Sequence, residues 1–231
     1  MQWTEHLRDF GIALTPEQFA AFQTFSRDLI TANERVNLTA ITDPDAIALK
    51  HFLDSLSLAL FVRNAQTLID IGSGAGFPGI PLKIALPHLR VTLVEATGKK
   101  VSFLNQIITT LNLRDITAIQ ARAEDLGRDE KHREQYDVAV ARAVADLAIL
   151  SEYALPFVRV GGIFIAQKGK DVEEEVHRAD QAIATLGGRV REIVPVQLPE
   201  LEQRHLIVVE KISPTPKEYP RRAGLPERKP L

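Results

Sequence analysis

From about residue 66 the chain alternates short apolar runs with longer stretches of helical period, and this alternation limits what it can fold into. The short runs are candidate strands at 67–71, 90–95, 116–120, 136–141, 161–167, 190–197 and 204–211. Between them, segments near 79–86, 98–111, 145–158 and 171–186 carry apolar residues at helical spacing. Strands separated by helices run parallel, because the chain must cross back over the sheet each time, so the pattern predicts an α/β fold with a Rossmann-like, doubly wound, seven-stranded sheet. The last two candidate strands are joined only by Leu198-Pro199-Glu200-Leu201-Glu202-Gln203. That link is too short for a helical crossover and predicts an antiparallel hairpin at the sheet edge.

Residues 1–60 read as an N-terminal helical extension. Thr15-Pro16-Glu17-Gln18 offers a capping hydroxyl followed by Pro at the first helical position, with Phe19, Phe22, Phe25, Leu29 and Ile30 behind it as core residues. Asp43-Pro44-Asp45 opens a second helix in the same way, carrying Ile47, Leu49, Phe52, Leu53, Leu56 and Leu60, and 33–39 is a polar connection. The division expected is an extension over 1–60, a main domain over 61–212 and a tail over 213–231. From Lys211 onward six cations face two acids, a net of +4 that leaves −6 for the rest of a chain whose formal charge is −2. This basic, Pro-rich tail is not expected to form a helix, and it is expected either to be solvated or to lie along phosphates.

At 231 residues, 45% apolar and 25% charged, the composition is that of a soluble globular protein. No apolar run approaches the length of a membrane span, and Met1-Gln2-Trp3-Thr4-Glu5-His6 has neither the basic region nor the apolar core of a signal peptide, so a cytoplasmic location without a membrane partner is expected. The absence of cysteine excludes disulfides, thiolate metal sites and a cysteine nucleophile.

Residues 70–79, Asp-Ile-Gly-Ser-Gly-Ala-Gly-Phe-Pro-Gly, follow the first candidate strand. Asp70 at a strand end with Gly72, Gly74 and Gly76 behind it suits a backbone that comes close to a nucleotide-like ligand. Glu95 ends the next strand, where an acid can accept both hydroxyls of a ribose. Alone, these features leave a nicotinamide dinucleotide and S-adenosyl-L-methionine open. Pro78 and Pro81 alter the helix start on which a pyrophosphate would rest, and no tyrosine has lysine four residues later, as a short-chain dehydrogenase would require. With the hairpin ending, these points favour S-adenosylmethionine, the alternative being an NAD-dependent oxidoreductase.

The chain resembles the small-subunit ribosomal RNA methyltransferase G family, also called glucose-inhibited division protein B. The likeness is carried by Asn37-Leu38-Thr39, His51 with Asp54-Ser55, 70–81, Glu95 with Lys99-Lys100 and Phe103-Leu104, Arg122 with Glu124, Arg142-Ala143, Lys168-Gly169 and Arg204-His205-Leu206. It implies a methyltransferase-type sheet and methylation of N7 of a guanine in the 530 loop of 16S rRNA, with the small ribosomal subunit as partner and a monomeric enzyme. By the same resemblance Gly72, Phe77, Ala123, Glu124 and Arg142 surround the cofactor, and Glu95, Ala96 and Thr97 meet its ribose. Arg122, Lys168, Arg204, Arg221 and Arg222 are the RNA-binding candidates. His51 and Asp54 share a helix face, but two ligands do not make a metal site, and no metal is expected.

The chemistry fits these residue types. Guanine N7 carries an in-plane lone pair when the base is neutral, so no catalytic acid or base is expected, only alignment. Pyrimidine C5 methylation commonly uses a cysteine, and exocyclic amines an Asp/Asn-Pro-Pro-Tyr-type segment after the fourth strand; here that place reads Ala141-Arg142-Ala143-Val144-Ala145.

Overall fold

A computed structural model describes residues 2–170, 172–199 and 202–231. Met1, Asp171 at the start of the fourth expected helix, and Glu200 and Leu201 in the expected hairpin link lie outside the described residues. The strands are β1 (Thr67–Ile71), β2 (Arg90–Glu95), β3 (Ile116–Gln120), β4 (Tyr136–Arg142), β5 (Val158–Lys168), β6 (Gly188–Val196) and β7 (Arg204–Lys211). They form one sheet in the order β3-β2-β1-β4-β5-β7-β6. The first five run parallel, and β7 lies antiparallel between β5 and β6, so the hairpin ending is present. Strand order reverses between β1 and β4, and the carboxyl ends of these strands open the crevice where such sheets bind ligands.

Alternation along each strand divides the core between two faces. Leu68, Val138, Val140, Ile165, Leu206 and Val208 point to one face, where the Gly79–Ala85 and Gly98–Thr110 helices and the N-terminal helices pack. Ile69, Ile71, Ala139, Ala141, Phe164 and Ile207 point to the other, covered by the Leu147–Ala154 and Glu173–Thr185 helices. The expected helix over 145–158 ends earlier, because Pro156 lies in a 3-10 turn, Leu155–Phe157, that leads straight into β5.

The Pro16–Asn33 helix begins in a capping box: the Thr15 hydroxyl accepts from the Gln18 backbone N–H while the Gln18 side chain accepts from that of Thr15. The amide of Gln18 also donates to the carbonyl of Ile84 at 2.8 Å, joining this helix to the end of Gly79–Ala85. Phe22 and Phe25 are buried and Phe19 stacks on Trp3. The second N-terminal helix starts at Pro44 under the Asp43 cap, then widens to a π-helix over Ala48–Leu53 before Asp54–Leu56. It breaks at Ser57 and Leu58 and restarts at Ala59–Val62, which changes the phase and leaves Leu60 exposed rather than in the core.

The tail corrects an expectation. Pro226 occupies the first turn of a short helix, Leu225–Arg228, where a missing N–H costs no hydrogen bond. The segment is anchored to the main domain at several points, although about half of its residues are exposed. The Arg133 guanidinium donates to the carbonyls of Thr215, Pro216 and Tyr219, and the Thr215 N–H donates to Glu134 at 2.7 Å. Fully buried Lys211 donates to the Leu155 carbonyl and the Thr215 hydroxyl, and burial lowers its pKa to about 8.

Candidate functional site

The glycine-rich turn after β1 is held from both sides. The N–H groups of Gly72 and Ser73 both donate to the Val94 carbonyl, closing the turn against β2. Gly72 has φ +69°, and a Cβ there would come 2.8 Å from Val144 Cγ2, so the position admits only glycine without displacement. Glu95 braces the same turn: one carboxylate oxygen accepts the Gly74 N–H at 3.0 Å and the other the Thr97 N–H at 2.8 Å.

Asp70 lies behind this turn, fully buried. Its Oδ2 accepts the Gly79 N–H at 2.8 Å, and a Cβ on Gly79 would stand 2.8 Å from the same oxygen, so glycine permits the contact. Burial, only partly offset by that hydrogen bond and by Arg142, pushes the Asp70 pKa up to about 7. Oδ1 has no hydrogen-bond partner among the described residues.

Two cavities open at the carboxyl end of the sheet. The first, of about 240 Å³, is bounded by Gly72, Glu95 and Ala96, Ala123 and Glu124, Ala143 and Val144, Tyr153 and Glu227. With Arg122 as its cation, it has an acidic lining. The second, of about 330 Å³, is lined by Lys50, His51, Asp54, Arg142, Gln167, Lys168 and Arg204 among others, and has a cationic lining. Ala143 lines both. Its φ of +55° is unusual for a residue with a Cβ, and it turns the chain out of β4 between the two spaces.

The π-helical turn supplies Lys50 and His51 to the cationic side. Arg142 donates to Asp54 Oδ2 at 2.8 Å and to the Lys50 carbonyl, stands 3.2 Å from His51 Nδ1, and has its guanidinium carbon 5.0 Å from the Phe77 ring centroid. Since Arg142 can only donate, His51 Nδ1 is the acceptor and its Nε2–H donates to the Thr39 hydroxyl at 2.8 Å. Burial, reinforced by the positive charge of Arg142, lowers the His51 pKa to about 4, so the ring is neutral near pH 7. Asp54 Oδ1, Gln167 Oε1 and Arg204 Nε are buried without hydrogen-bond partners among the described residues, and Arg204 Nε lies 3.8 Å from Asp54 Oδ1.

The sequence candidates therefore fall into separate groups. Gly72, Glu95, Ala96, Ala123 and Glu124 share the acidic cavity, with Arg122 exposed at its edge. Gly74 and Thr97 act on it through Glu95. Asp70 and Gly76 lie outside its lining, as does Phe77, whose ring is buried and stacks on Phe25 and His51. Arg142, Lys168 and Arg204 meet at the cationic cavity, where Lys168 also donates to Glu175 and to the Ala145 carbonyl. Arg221 does not join them: its guanidinium and backbone N–H are held by buried Glu152, while Arg222 is exposed. Tyr153, Glu227, Lys50 and Gln167 carried no local signal, since the site acquires them only through long-range packing.

Known proteins resemble the chain closely. The family model described as rRNA small subunit methyltransferase G matches residues 18–207. A protein of Roseiflexus sp. (strain RS-1) named ribosomal RNA small subunit methyltransferase G is 55% identical over 225 residues, spanning 97% of this chain and 96% of its own. One of the same name from Leuconostoc citreum is 48% identical over 229 residues, 97% and 96% of the two chains. Among solved structures, an O-methyltransferase from Bacillus cereus aligns with a TM-score of 0.58 at 19% identity, covering 81% of this chain and 91% of that one, which shows the shared fold.

Proposed function

Because the chain belongs to the rRNA small subunit methyltransferase G family, we propose that it transfers the methyl group of S-adenosylmethionine to N7 of a guanine in the 530 loop of 16S rRNA. One observation carries the reading: an acidic and a cationic cavity stand side by side at the sheet's switch point and share Ala143. A sulfonium cofactor suits the acidic space and a polyanionic substrate the cationic one.

The residues present fit the cofactor. The Gly72 turn leaves space that a Cβ would fill, and Glu95, Glu124 and Glu227 suit a ligand with a positive charge and several N–H and O–H donors. When bound there, the cofactor would supply an electrophilic methyl carbon for displacement by N7, with S-adenosylhomocysteine as the leaving group. The chain's contribution is alignment and exclusion of water. Glu95, held by Gly74 and Thr97, presents a fixed carboxylate for the ribose hydroxyls. Arg142 is fixed by Asp54, His51 and Phe77, so it can orient either the cofactor's carboxylate or the base without losing side-chain freedom at that moment. Lys50, Lys168 and Arg204 hold RNA phosphates or the base edge. No proton needs to leave neutral guanine, which agrees with a neutral His51 already committed to Thr39 and Arg142. A loop guanine also suits the cationic cavity, because N7 lies in the deep major groove of A-form RNA and is reachable where the helix is interrupted.

The test is methyl-labelled S-adenosylmethionine with small ribosomal subunits lacking the modification, followed by digestion and identification of the labelled nucleoside. The reading expects label in 7-methylguanosine at one 530-loop position. Label in another nucleoside would keep the enzyme class and overturn the target.

A further inference from the structure

We propose that the C-terminal tail completes the cofactor site and that Glu227 is a binding residue for the exocyclic amine of the cofactor's adenine. The inference rests on the reading that the acidic cavity takes S-adenosylmethionine. Apart from Glu227, every residue lining that cavity lies between Ile71 and Tyr153.

The tail arrives there by a series of specific attachments. Pro220 packs on Gly127, where a Cβ would come 3.1 Å from its Cγ, and the Pro220 carbonyl accepts from Arg128 at 2.9 Å. Arg221 then grips Glu152, which is 1% exposed: its backbone N–H and Nε donate to one carboxylate oxygen at 2.7 and 2.9 Å, and its terminal nitrogen to the other at 2.6 Å. Gly224, at φ +76°, turns the chain so that its N–H donates to Oε1 of Glu124 at 2.9 Å. The Leu225–Arg228 turn follows, and Glu227 accepts the Tyr153 hydroxyl at 3.3 Å. The tail thus bridges two walls of the cavity, the segment after β3 through Glu124 and the helix after β4 through Glu152 and Tyr153.

These attachments differ in kind. The Arg221–Glu152 pair is buried and holds the segment down. Glu227 is exposed along the chain but stands on the cavity, beside a phenol whose pKa is raised by burial and then by Glu124 and Glu227, so Tyr153 remains a hydrogen-bond donor. Three carboxylates, Glu95, Glu124 and Glu227, against Arg122 call for a ligand rich in donors. With Glu95 assigned to the ribose, Glu124 and Glu227 are left for the amine of the base. An acid at this place accepts from an adenine amine and repels the carbonyl oxygen of a hypoxanthine.

The experiment compares S-adenosylhomocysteine with S-inosylhomocysteine, in which that amine is replaced by oxygen, by titration calorimetry on the full chain. In the unaltered protein the adenosine ligand should bind tighter by about tenfold or more, the scale of a hydrogen bond to a charged group. Glu227→Ala should weaken the adenosine ligand and, by removing the repulsion of the hypoxanthine oxygen, leave the inosine ligand bound equally well or better, so that discrimination shrinks; Glu227→Gln, which keeps an acceptor for Tyr153, should fall between. Unchanged binding of both ligands in both variants would remove Glu227 from the site. Equal weakening of both ligands would make the tail a wall rather than a reader of adenine and overturn the assignment. Glu95→Ala separates the underlying reading: if it leaves S-adenosylhomocysteine affinity unchanged, the acidic cavity is not the cofactor site, whatever the tail does.

Discussion

Replacing Arg142 by Met keeps a long side chain over Phe77 but strands a carboxylate. Asp54 is 3% exposed, and Arg142 is its 2.8 Å partner. Among the described residues the other cation within ion-pair distance of Asp54 is Arg204, whose Nε stands 3.8 Å from Oδ1 without a hydrogen bond. Removing one member of a buried pair costs about 3–5 kcal/mol, and the residual pull of Arg204 puts this case near the lower end. For 231 residues, an unfolding entropy of about 2.1 cal/mol/K per residue turns a loss of about 3 kcal/mol into a fall of about 6 °C in Tm. Asp54→Asn alone removes the charge and leaves Arg142 its other acceptors, the Lys50 carbonyl and His51 Nδ1, so it should cost only about 1–2 kcal/mol. The double variant has no stranded charge. It should therefore be less destabilised than the two single losses together by about 2 kcal/mol or more. Urea unfolding of the four proteins measures the cycle, and repetition at high salt should change it little, because a buried pair is poorly screened. An Arg142→Met loss below about 1 kcal/mol, or a cycle that closes additively, would refute the reasoning that this pair carries the wall of the cationic cavity.

Two further outcomes follow from the glycine-rich turn. Gly72→Asp places a Cβ against Val144 at positive φ and a carboxylate beside Glu95, so equilibrium dialysis should find S-adenosylhomocysteine binding abolished; unchanged affinity would take the turn out of the site. Asp70 titrates near 3.8 when unfolded and at about 7 when folded, so between those values the native state keeps a proton the unfolded chain has lost, and stability falls as pH rises. Asp70→Asn removes that loss, so its stability relative to the parent should improve from about pH 4 to pH 7 and level off above that; a gap that does not change with pH would mean Asp70 is ionised throughout.

The sheet was legible because a buried strand and an amphipathic helix each impose a period on local sequence. β1, β2, β3 and β7 fall where the apolar runs lie, and the short link before Arg204 was enough to reverse β7. Gly72 and Glu95, singled out as strand ends and glycines in one local stretch, do line a common cavity. The parts that escaped depend on partners far along the chain. Arg221 is one of the RNA-binding candidates of the basic tail, and its contact with Glu152, 69 residues away on a helix that gave no sign of needing a cation, has no local signal. Phe77 is placed at the cofactor by the family resemblance; its ring stacks on Phe25 and His51, two residues of the N-terminal extension that no local pattern ties to it. Lys50 reaches the site because the helix widens at Ala48–Leu53, a change of pitch that apolar periodicity does not encode.

A crystal structure with S-adenosylhomocysteine would examine the division of labour between the two cavities. The ribose hydroxyls should meet Glu95, the adenine should lie by Ala96 and Ala123 with its amine toward Glu124 and Glu227, and the sulfur should face Ala143. A ligand seated among Lys50, Lys168 and Arg204, with the acidic cavity left to solvent, would reverse the roles given to the two cavities.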